Sequence, residues 1–129
     1  MKKIECNLMD SSAWLSYFFA TSKQVKKIVE SDCILYTSVI SIFEIKRKLI
    51  RDGFERDLEG VLTFIEDRSI VINLDEDISQ IAADLSIQYK LHAMDALIYA
   101  SAKVMDSELV TADSDFEKLV DVLIIQQEL

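Results

Sequence analysis

The chain contains no proline and only two glycines in 129 residues. That excludes a Pro/Gly-rich linker or a low-complexity arm, and no internal repeat is visible. Cysteine is equally scarce. Cys6 and Cys33 are isolated and lack metal-ligand spacing, so they read as buried, reduced thiols of a cytoplasmic protein. The single histidine, His92, excludes a histidine-based triad and lacks the spacing of a zinc site, and it reads as a loop or helix-cap residue. No apolar run is long enough to span a bilayer, and no signal-peptide pattern opens the chain. Basic residues are in deficit, with 14 Lys and Arg against 23 Asp and Glu for a formal net charge of −9. That argues against non-specific coating of nucleic acid, but not against a nucleic-acid enzyme whose acids serve a metal. There is no P-loop, no GxGxxG and no HExxH.

Half the residues are hydrophobic and 29% are charged, the balance of one soluble, globular domain over residues 1–129. Residues 3–9 read as a buried strand. Ser11 or Ser12 can cap a helix through about Phe19, and a second helix covers roughly 22–31. Residues 34–37 read as a strand. Ser38 then caps a helix to about Asp52, with Val39, Ile42, Phe43 and Leu49 on or near one face, and Gly53 breaks it. Helical periods follow over 55–67, 75–89 and 93–105, with a strand at 70–72. A strand at 108–111, a short helix over 115–119 and a last strand at 122–125 close the chain. Strands alternating with helices imply an α/β fold with a parallel sheet covered on both faces. Ligands of such sheets bind outside the carboxyl ends of the strands, which places Asp10 and Asp113 at one edge.

Four acids stand beside apolar runs: Asp10, Glu44, Asp95 and Asp113. Asp10 and Asp113 suit N-caps, Glu44 suits a solvated helix face, and Asp95 suits a first helical turn. Taken together they suggest one electronegative pocket. Carboxylates crowded there repel unless a counter-ion joins them, and Mg²⁺ or Mn²⁺ prefers such oxygen ligands. The pocket suits phosphodiester chemistry, in which metal acidifies an attacking water and neutralises phosphate charge.

The four acidic segments also carry a resemblance. Asp10-Ser11-Ser12, the run from Ser38 to Glu44, His92-Ala93-Met94-Asp95-Ala96 and Leu109-Val110-Thr111-Ala112-Asp113-Ser114-Asp115-Phe116 occur in order across nearly the whole chain. In this the sequence resembles the PIN domain family, of the kind found in VapC-type toxins. The resemblance implies a three-layer α/β/α fold with a four- to five-stranded parallel sheet. It implies a Mg²⁺- or Mn²⁺-dependent endoribonuclease with Asp10, Glu44, Asp95 and Asp113 as metal-binding, catalytic acids and Asp115 as an accessory. Ser12 and Thr111 would orient carboxylates or water. Homodimers and a silencing antitoxin are the partners implied, with RNA placed near Lys46, Arg47, Lys48 and Arg51. Three alternatives stay open: a PIN nuclease of RNA processing, a silent PIN-like scaffold, and a phosphoryl-accepting receiver domain. The receiver lacks support in an acidic pair before Asp10 and in a lysine after the last strand.

Overall fold

The computed structural model describes residues 5–128. Lys3 and Ile4, the start of the expected first strand, lie outside them. Five strands form the sheet: β1 (Cys6–Met9), β2 (Ile34–Ser38), β3 (Ile70–Ile72), β4 (Glu108–Thr111) and β5 (Val122–Ile124). All pairings are parallel, in the order β3-β2-β1-β4-β5. The chain builds outward from β1 in one direction, then returns to build from β1 in the other. The direction therefore reverses between β1 and β4, and a crevice opens there at the carboxyl ends of the strands.

Helices cover both faces. On one lie α1 (Ser11–Phe18), α2 (Lys23–Val29), α3 (Val39–Arg51) and α4 (Leu58–Arg68). On the other lie α5 (Glu76–Tyr89) and α6 (Ala93–Val104). Alternation along each strand divides the core. Met9, Leu35 and Val110 pack with Trp14, Ile45 and Ile65, while Leu8 and Leu109 pack with Ile78, Ile98 and Tyr99. Successive strand side chains point to opposite faces, so near-continuous apolar strands are what a sheet covered twice requires.

Local signals set the element ends. The Ser38 hydroxyl accepts the Ile40 N–H to start α3, and the Asp75 carboxylate accepts the Ile78 N–H to start α5. Glycine is so scarce that Ala20, Lys90, Asp106 and Asp121 take left-handed turn conformations usually left to it. Three expectations need correction. Of the cap candidates Asp10, Ser11 and Ser12, it is Asp10 that occupies the N-cap of α1 and neither serine, because its carboxylate accepts the Ser11 N–H. The segment expected as a helix over 115–119 is one 3-10 turn, Ser114–Phe116, because the Asp113 side chain closes it at the Asp115 N–H. Phe43, expected on or near the apolar face of α3, is 54% exposed; the buried stripe is Ile40, Ser41, Ile45 and Leu49.

Candidate active site

Asp10 is the first residue beyond β1, and its N–H still bonds the Val110 carbonyl of β4 at 2.9 Å. Asp10 is 7% exposed. Oδ1 accepts the Ser11 N–H at 2.8 Å, and Oδ2 accepts the Thr111 hydroxyl at 2.8 Å and the Ser12 hydroxyl at 3.2 Å. The same hydroxyls hold the segment that follows β4. Thr111 Oγ1 accepts the Asp113 N–H at 3.0 Å, and Ser12 Oγ accepts the Ala112 N–H at 2.9 Å. Ser12 and Thr111 thus meet on one oxygen of the Asp10 carboxylate. Ser11 joins them: its N–H meets Asp10, and its hydroxyl donates to Glu44 Oε1 at 3.3 Å. No sequence signal separated Ser11 from Ser12, since either hydroxyl looks like a helix cap.

The tightest acidic group is Asp95, Asp113 and Asp115, each of which offers an oxygen within 4.8 Å of the others. Asp95 comes from the first turn of α6 and Asp113 from the end of β4. Asp115, expected only as an accessory, is brought into the trio by the 3-10 turn. One Asp113 oxygen caps the Asp115 N–H at 2.9 Å, so Asp113 is an N-cap as well as a member of the acidic trio. Asp10 and Glu44 flank the trio and are coupled to it by charge. Neither ion pair among the described residues, Lys23–Glu128 or Arg51–Asp52, reaches the cluster. His92 stands at the N-cap position of α6 without a side-chain cap bond, and its nearness eases the Asp95 charge.

Crowding leaves a titration signature. Burial pushes the Asp10 carboxyl above its ordinary range, opposed by Thr111, Ser11 and Ser12, with the Asp113 charge adding to the rise. Burial and the Asp10 charge raise Glu44. Burial first, then the charges of Asp113, Asp10 and Asp115, push Asp95 up to about 6. All three bind a proton more tightly in the folded chain than in the unfolded one. Below the Asp95 midpoint of about 6, the folded state therefore carries more protons, and stability rises as pH falls toward the ordinary carboxylate range. The metal-free protein is expected to melt at a higher temperature near about pH 5 than near about pH 7.5, and Mn²⁺ at the higher pH should recover the difference. Thermal melts in chelator and in Mn²⁺ check this. Equal melting temperatures at both pH values, with no response to Mn²⁺, would contradict it.

The basic residues expected to meet RNA, Lys46, Arg47, Lys48 and Arg51, are all exposed on α3. They are not equivalent. Arg51 Nε bonds Asp52 at 3.1 Å, whereas Arg47 lies over the Phe43 ring and its charge eases Glu44.

An all-oxygen donor set of this kind fits Mg²⁺ or Mn²⁺ and not a soft metal. No helix among the described residues is long and apolar enough to cross a membrane. The family pattern of the PIN domain matches residues 8–122. No curated protein matches the chain. Among solved structures, a toxin–antitoxin complex from Klebsiella pneumoniae is similar at 24% identity, over 91% of this chain and 95% of that one, with a TM-score of 0.74. VapBC2 from Rickettsia felis, bound to a DNA fragment from their promoter, is similar at 13% identity, over 92% and 96%, with a TM-score of 0.76. A sarcin–ricin-loop-cleaving VapC toxin from Mycobacterium tuberculosis is similar at 15% identity, over 93% and 99%, with a TM-score of 0.74. At these identities the likeness is one of fold.

Proposed function

The chain belongs to the PIN domain family, and from that premise we propose that it is a Mg²⁺- or Mn²⁺-dependent endoribonuclease, the toxin of a toxin–antitoxin pair. One observation carries the nuclease reading. Asp95, Asp113 and Asp115 lie within 4.8 Å of one another at the crevice where the sheet reverses direction, with Asp10 and Glu44 alongside. The toxin reading is supported by the Klebsiella and Mycobacterium structures, whose described roles are toxin–antitoxin assembly and cleavage of the sarcin–ricin loop. It carries with it a cytoplasmic location, a homodimer and an antitoxin partner.

In this reading Asp10, Glu44, Asp95 and Asp113 hold the cation, with Asp115 as the accessory ligand. A divalent ion there supplies charge neutralisation at the phosphate and a more acidic attacking water. The protein's part is to keep the carboxylates in place before substrate arrives. Asp10 is fixed through both oxygens, so its orientation costs no rearrangement at the moment of reaction. Ser11 ties Glu44 to the Asp10 loop, while Thr111 sets the distance between β1 and β4. Such outer hydrogen bonds typically matter by about 10- to 100-fold in metal affinity or activity. Lys46, Arg47, Lys48 and Arg51 would draw the RNA backbone toward a surface that is otherwise strongly acidic.

The test pairs a mixed RNA pool with calorimetry. Fragments should accumulate with Mn²⁺ or Mg²⁺ and not with chelator, and titration should show Mn²⁺ bound to the folded chain. Saturating Mn²⁺ that neither binds nor supports cutting would overturn the nuclease reading and leave a PIN-like scaffold.

A further inference from the structure

We propose that Phe43 and Arg47 form a stacking platform that holds a base of single-stranded RNA beside the acidic site. The proposal rests on the nuclease reading and names the part of the protein that grips its substrate. Phe43 lies opposite the buried stripe of α3 and is 54% exposed. An exposed phenyl forgoes part of the stabilisation that burial would give, so its position invites a reason. The ring is not bare: the Arg47 guanidinium carbon sits 5.7 Å from its centroid. Two other exposed phenylalanines, Phe19 and Phe54, pack against each other at 5.2 Å. Phe43 is paired with a cation.

The helix places this pair at the site. Arg47 follows Phe43 by four residues and Glu44 by three, so it neighbours both on the helix surface, with Cβ atoms about 5–6 Å apart. A planar cation, an aromatic face and a carboxylate of the cluster thus adjoin one another. Lys46 and Lys48 flank them, exposed, in a chain of net charge −9. A polyanion that must reach carboxylates needs such a foothold. Unpaired bases stack on aromatic and guanidinium planes, a contact tolerant of sequence because every base has a π-face. Duplex RNA offers no splayed base to such a platform.

Fluorescence anisotropy on an Asp95→Asn background, in Mn²⁺, tests this with a single-stranded oligoadenylate and an abasic strand of equal charge. Phe43→Ala and Phe43→Leu should weaken oligoadenylate binding about ten-fold or more, and Phe43→Trp should hold it within about two-fold. The abasic strand should bind all of these alike. Phe43 is on the surface, so melting temperatures should stay close to the parent's and confirm folding. If Phe43→Leu binds oligoadenylate as well as phenylalanine does, the stacking platform is overturned. Cleavage by the unmodified chain is read in parallel. Cutting by the parent with no effect of Phe43→Ala removes the platform alone, whereas neither cutting nor binding removes the nuclease reading with it.

Discussion

Asp95→Asn should lower metal-dependent RNA cleavage by at least about 100-fold and, in the same protein, raise the melting temperature measured without metal. The loss follows from removing a carboxylate of the trio, since even partners one shell further out are typically worth about 10- to 100-fold. The gain follows from the crowding. Asp95 is ionised only against burial and the charges of Asp113, Asp10 and Asp115. A neutral amide of the same shape relieves that repulsion. Opposite movement of activity and stability is the pattern of a group kept for function at a cost to the fold. It also separates two explanations of an inactive variant. If cleavage and melting temperature fall together, Asp95 is a structural residue. If cleavage is unchanged, the site is wrongly assigned.

Trp14→Ala should produce the largest loss of stability, about 3–5 kcal/mol, a fall of roughly 10–20 °C in melting temperature. Trp14 is fully buried between α1 and the sheet. Its ring lies 6.1 Å from Phe18, 6.2 Å from Phe64 and 6.4 Å from Tyr17. Its indole N–H donates to Thr37 Oγ1 at 3.0 Å, and that hydroxyl lies 2.7 Å from Ser69 Oγ. Truncation therefore opens a cavity and removes the donor at one end of a buried polar chain. Trp14→Phe should cost much less, because most of the aromatic packing remains. The main-chain N–H of Trp14 also bonds the Asp10 carbonyl, so loosening this core loosens the first acid of the site. Denaturant unfolding and thermal melts read both variants. A Trp14→Ala protein that melts within a few degrees of the parent would show that the cluster can collapse around the gap.

Much of this architecture is legible from residue order. Apolar runs with cap and turn residues between them placed all five strands and the six α-helices within a few residues. The alternation of strands and helices placed Asp10 and Asp113 at one edge. What stayed hidden depended on tertiary surroundings. Phe43 fits the apolar face of α3 by composition, but the helix turns Ile40, Ser41, Ile45 and Leu49 inward, and no local pattern tells a Phe in the core from one held under Arg47. The prominence of Asp115 depends on a 3-10 turn where a longer helix was expected. Ser11 and Ser12 are indistinguishable as letters. Only the fold assigns one to Glu44 and the other to Asp10, Thr111 and Ala112.

The hydroxyl ties between β1 and β4 have a temporal meaning. Thr111 and Asp10 are 101 residues apart in the chain, and Ala112 and Ser12 are 100 apart. Contacts that close so long a loop form only after both ends exist. During synthesis, Asp10 and Glu44 emerge well before Asp95, Asp113 and Asp115. A growing polypeptide therefore carries only part of the acidic cluster until the stretch through Asp115 has been made. The acidic cluster comes together only when the fourth strand slots in beside the first.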